Sequence, residues 1–214
     1  MTDALFALAG AGDAEGLQAA LSAADLARLH NEAGESLYRF ALFHGHAKAA
    51  EAIKARGGLG FHDAALVGDV ARLDSLLDAA PWAVDLLSPD GWTALHLAAF
   101  VGADAALVRL FDRGANARIM GRAFEQNLAL HAAAAGRRTG KAAYARLVTA
   151  TGDPDAPQKQ GYTALMIAAS NGFTAAAEVL LAAGADRSIK LPDGKTAAAI
   201  ARDRGHGELA KLLD

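Results

Sequence analysis

Apolar and polar positions along this chain recur with a long period. Residues 90–116 read DGWTALHLAAFVGADAALVRLFDRGAN, and residues 160–186 read QGYTALMIAASNGFTAAAEVLLAAGAD. In both, a Gly-X-Thr turn leads into an apolar run that stops at a glycine. A second run then places apolar residues at i, i+3 and i+4, as in Leu107, Leu110 and Phe111, or Leu73, Leu76 and Leu77. Both runs predict short helices. Thr93, Thr163, Thr196 and Ser36 stand at the start of the first, where a hydroxyl can accept a bond from a first-turn amide. Gly45, Gly68, Gly102, Gly172 and Gly205 end the first helix, and Gly57, Gly114, Gly152 and Gly184 end the second. The roughly ten residues before the next Gly turn predict a projecting, hairpin-like finger.

Leu95, Leu130, Leu165 and Ala198 occupy one place in this pattern, at steps of 35, 35 and 33 residues. Phe61, Tyr38 and Leu5 fall on the same mark further upstream, which makes about seven copies with degenerate first and last ones. Neither helix of a copy is long enough to be stable alone in water, so the copies must stack to bury their apolar faces. The expected fold is an all-α helix-turn-helix solenoid forming a single domain over 1–214. Its repeats fall at roughly 1–30, 31–57, 58–88, 89–121, 122–156, 157–189 and 190–214. Two irregularities stand out. The step from Tyr38 to Phe61 leaves no room for a finger, so ARGGLGFHD predicts a tight, glycine-rich connection and a bend or twist of the stack. The fifth copy has Gln126 and Leu128 in the Gly and Thr places, which predicts an irregular turn.

These residues resemble ankyrin repeats, whose signature is T-P-L-H-x-A on a period near 33. The likeness is strongest over 89–118 and 159–189, good over 31–88 and 192–214, and weak over 1–30. Ala94, Ala129, Ala164 and Ala197 stand where the family usually has proline. The resemblance implies β-turn fingers and a concave groove formed by the fingers and first helices. Contact residues would lie beside the turn glycine and at the end of the first helix. Copy two offers Phe43 and His44 there, and copy four Pro89, Trp92, Phe100 and Val101. Copy five offers Glu125, Asn127 and Ala135, and copy six Gln160, Tyr162, Ser170 and Asn171. Copy seven adds Lys195 and Arg204. Trp92 and Tyr162 share one place, as anchors for a partner or as rings folded over their own fingers. The long finger before copy five carries Met120, Arg122 and Phe124, suited to a partner contact. Trp82 is expected to cover the connection between copies three and four. His62, His96 and His131 recur at one place, and the resemblance implies bridges between repeats for them rather than metal ligation.

Composition narrows the function. Apolar residues make up 53% of the chain but aromatics only 6%, as suits closely packed helices of small residues. A net charge of −3 offers no basic surplus, so neither nucleic acid nor an anionic membrane is an expected partner. The absence of cysteine excludes disulfides and thiolate chemistry. The first residues do not read as a signal peptide, and no apolar run approaches membrane-spanning length, so a cytoplasmic location is expected. No nucleophile motif or metal cluster stands out, and neither a cofactor nor catalytic residues are expected. The expected function is a monomeric, non-enzymatic module that binds a partner protein along its groove, as adaptor or regulatory subunit.

The competing expectation is a nucleotide- or anion-binding protein, or an enzyme, using GRRTGKA at 136–142. That segment is one residue short of the phosphate-cradling motif between its glycines and ends in Ala142, not a hydroxyl. The simpler reading is a three-residue expansion of the helix–helix turn, with Arg137, Arg138 and Lys141 on the outer side.

Overall fold

A computed structural model describes residues 2–20, 29–32, 34–57, 59–122 and 126–214. Those residues form α-helices in antiparallel pairs and no strand. The pairs run α1 (Thr2–Ala11) with α2 (Ala14–Ala20), α3 (Leu37–Phe43) with α4 (Ala47–Ala55), and α5 (Phe61–Val67) with α6 (Val70–Ala79). A single 3-10 turn, Pro81–Asp85, follows. The series continues with α7 (Ala94–Val101) and α8 (Asp104–Asp112), then α9 (Ala129–Gly136) and α10 (Lys141–Thr151). It closes with α11 (Ala164–Asn171) and α12 (Thr174–Ala182), then α13 (Ala197–Asp203) and α14 (Gly207–Leu213). The first helices α5, α7, α9, α11 and α13 pack on one another in chain order, and α6, α8, α10 and α12 form a second row. The chain is a helical solenoid.

Local chemistry sets these boundaries. The hydroxyls of Ser36, Thr93, Thr163 and Thr196 accept from Arg39, His96, Met166 and Ala199 amides at 3.1–3.3 Å. Each bond satisfies an amide that the first helical turn leaves unpaired. Fingers end in β-turns: the Gly91, Gly161 and Gly194 amides each donate to the carbonyl three residues back at 2.8 Å. These glycines have φ of 83° to 89°, a left-handed backbone that a side chain disfavours. The fifth copy departs from this scheme. Gln126 takes up the left-handed turn at φ 44°, and Leu128, which has no hydroxyl, leaves its amide to donate to His131 Nδ1 at 3.1 Å. Arg137 likewise holds φ 58° at the end of α9, where Gly102 and Gly172 end α7 and α11.

The buried core divides along α5. Ala64 and Ala65 belong to a cluster that continues through α7, α9, α11 and α13, built of alanines with leucines such as Leu95, Leu130 and Leu165. Leu66 instead joins Leu5, Leu17, Leu37 and Ile53 in a second, N-terminal cluster, which also takes in Leu97 of α7. The short connection between α4 and α5, where the 23-residue step shows in the sequence, lies directly before the divided helix. Trp82 departs from expectation. It lies in the 3-10 turn and is 73% exposed, so it covers no connection.

Candidate interaction groove

The last residues of successive first helices meet on one side of the stack. Phe43 ends α3, Leu66 and Val67 end α5, and Phe100 and Val101 end α7. Together they line a hollow of about 1000 Å³, completed by Ala135 and Gly136 of α9 and Asn171 of α11. Gly136 permits this closeness, since a Cβ there would overlap the Phe100 carbonyl. Phe43 is 58% exposed and Phe100 39%, so apolar rings face the opening. A second hollow of about 410 Å³ adjoins the first through Ala135 and Asn171. It is polar, lined by Asn127, Gln158, Gln160, Tyr162, Ser170 and Arg204.

Arg137 and Arg138 also line the larger hollow, contrary to the expectation that they face the outer side. The expanded turn folds inward because both neighbours hold it. The Thr139 hydroxyl, buried, donates to the Ala99 carbonyl at 2.6 Å, and Arg137 donates to the Asn171 carbonyl at 2.8 Å. The Gly140 amide donates to both Asp104 carboxylate oxygens at 3.0 and 3.2 Å. A carboxylate thus sits where a phosphate-cradling loop would present a bare amide. The sequence places the insertion directly after a first helix, but the contacts that turn it inward lie in the neighbouring repeats.

The remaining expected contact residues fall elsewhere. Trp92 is half-buried, with its ring edge-on to Phe100 at 5.6 Å and against His96 at 5.9 Å, so it backs the apolar wall. His44 is exposed, stacks on Phe40 at 4.2 Å and donates through Nδ1 to the Phe40 carbonyl. Lys195 is exposed and pairs with Asp203 at 2.7 Å. Met120 and Arg122 are exposed on their finger, tied to copy four by the Arg122 amide donating to the Gly91 carbonyl at 2.8 Å. Phe124 and Glu125 lie outside the described residues.

A ladder of histidines runs along the stack, and His131 of it lines the smaller hollow. Nε2 of His62, His96 and His131 donates to the carbonyls of Leu86, Asn127 and Ala156 at 2.9, 2.9 and 2.8 Å. Thr93 donates to Nδ1 of His96 at 2.7 Å, and the Leu128 amide does so for His131. Each of these two rings is therefore neutral with both nitrogens engaged. Burial pushes all three pKa values below the ordinary 6.5, that of His131 to about 4. Among the described residues no group of three His, Cys, Asp or Glu side chains could hold a metal ion.

Arg39, which sequence reasoning passed over, takes the His place in copy two and makes a different bridge. Its side chain, 1% exposed, lies 3.3 Å from the Asp63 carboxylate and donates to Asp90 and to the Gly34 carbonyl. Ser36 donates to Asp63 at 2.7 Å. Burial raises the Asp63 pKa, against the lowering effects of the Ser36 bond and the Arg39 charge. This cluster joins copies two, three and four across the division in the core. An inward-facing arginine where other copies have histidine was its only sequence signal.

Comparison with protein families bears on what such a groove is for. A family model of ankyrin repeats in three copies matches residues 140–213, and one of a single ankyrin repeat matches residues 90–121. No curated protein matches this chain.

Proposed function

Since this chain carries ankyrin repeats, which are generally protein–protein interaction modules, we propose that it is a non-enzymatic adaptor or regulatory subunit binding one partner protein along the groove. The observation that carries this reading is the apolar wall of Phe43, Leu66, Val67, Phe100 and Val101, lining one opening formed by successive repeats. Exposed apolar surface gathered in a concavity marks a binding site more than the same side chains scattered over a surface. The protein acts as a cytoplasmic monomer in this reading, and no helix among the described residues is long and apolar enough to cross a membrane. The Asp104 carboxylate on the Gly140 amide argues against the anion-binding alternative at 136–142.

A photo-crosslinking amino acid placed at Phe43 or Phe100 tests the assignment in native cells. Both positions are expected to yield the same discrete adduct, while Val108, exposed on α8, yields none. Equal labelling from Val108, or adducts that differ between the two groove positions, would overturn it.

A further inference from the structure

We infer that the groove takes an extended, acidic segment of a partner protein bearing one bulky apolar side chain. This deepens the proposed function and rests on it. Neither hollow is lined by a single Asp or Glu, yet three arginines line them: Arg137, Arg138 and Arg204. On the outer row of helices several cations are instead neutralised by carboxylates of neighbouring repeats. Arg109 lies 3.6 Å from Asp74, Arg146 lies 2.8 Å from Asp112, and Lys141 pairs with Glu178. Arg138 and Arg204 have no ion pair among the described residues, and the Asp203 carboxylate beside Arg204 is bonded to Lys195. In a chain of net charge −3, these two adjoining hollows thus gather three guanidinium groups and no carboxylate. Guanidinium groups recognise carboxylates through paired N–H donors, and such complementarity selects partners more than it adds affinity.

The two hollows divide the recognition. The larger has the apolar wall of Phe43, Leu66 and Phe100, with room for a large side chain. The smaller has the amides of Asn127 and Gln158, each more than nine-tenths buried and each with a carbonyl oxygen lacking a hydrogen-bond partner. Acceptors of this kind suit the N–H groups of an extended backbone, which otherwise lose their bonds to water on binding. Arg138 on one side and Arg204 on the other then face carboxylates on either side of the anchored residue.

The test is selection of random 12-residue peptides displayed on phage against the full chain. Enrichment of Asp or Glu within a few positions of Phe, Trp or Leu is expected. A synthetic peptide of the selected consensus, followed by fluorescence anisotropy, is expected to lose about tenfold in affinity when Arg138→Gln and Arg204→Gln are combined. Arg109→Gln on the outer row should leave it unchanged, and added salt should weaken binding. Selected peptides without acidic residues, indifferent to the two groove arginines but weakened by Phe100→Ser, overturn the acidic partner and leave the groove standing. Peptides indifferent to Phe100→Ser as well overturn the groove itself. Matched thermal melts of all variants separate lost binding from lost folding.

Discussion

A histidine held neutral in a dry interior couples folding to acidity. Its pKa is lower in the folded state, so between the folded and unfolded values the unfolded chain binds more protons. Stability is then fully present above about pH 6.5 and lost as pH falls toward the folded value. For His131, moving from 6.5 to about 4 corresponds to about 3 kcal/mol, and His62 and His96 act in the same direction. Urea midpoints measured from pH 7.5 down to pH 4 are expected to fall across this window, and a flat profile would contradict the buried neutral rings. His96→Ala is expected to cost about 1–3 kcal/mol at pH 7.5, because it strands the Asn127 carbonyl and the Thr93 hydroxyl. These histidines were legible because they recur one repeat apart. Arg39 was not, because it occurs in one copy and its acceptors, Asp63 and Asp90, are set by packing between repeats.

At the scale of the element, helix positions followed from apolar spacing and from hydroxyl and glycine punctuation, since those signals act within a few residues. The fifth copy shows where local signals weaken. Gln126 holds a left-handed backbone that favours glycine, so Gln126→Gly is expected to raise stability by about 0.5–1 kcal/mol, read from the denaturation midpoint. A decrease would mean that its side chain makes contacts worth more than the strain. The direction of the 137–140 turn was not legible, because it depends on the Ala99 carbonyl and the Asp104 carboxylate, some 36 to 40 residues away. The end-of-helix residues were identified by their place in the repeat, but how they group depends on inter-helix distances that no single copy contains. Removing α13 and α14 by truncation before Asp193 should bare the face of α11 that packs on α13. The shortened chain is expected to melt earlier while keeping helical circular dichroism, whereas a complete loss of helix would show that folding does not propagate repeat by repeat.

Over the whole molecule, the notable feature is the division of the core along α5, bridged by Leu66, Leu97 and the Arg39 cluster. Arg39→Met would strand the buried Asp63 charge, and breaking such a pair from one side costs about 3–5 kcal/mol. Hydrogen exchange should then show α1–α4 losing protection while α9–α14 retain theirs; uniform loss would mean that the two clusters behave as one. The same division has a mechanical consequence. A solenoid pulled by its ends yields at its weakest inter-repeat face, and here that face rests on a few polar bonds beside a narrow apolar bridge. The N-terminal two helix pairs should come away first under load, paying out about 20 nm of chain at ~3.5 Å per residue. Phe43 would leave the apolar wall with them, while the part of the groove lined by α7, α9 and α11 stays shaped, so load on the N-terminal end thins the binding surface without dismantling it.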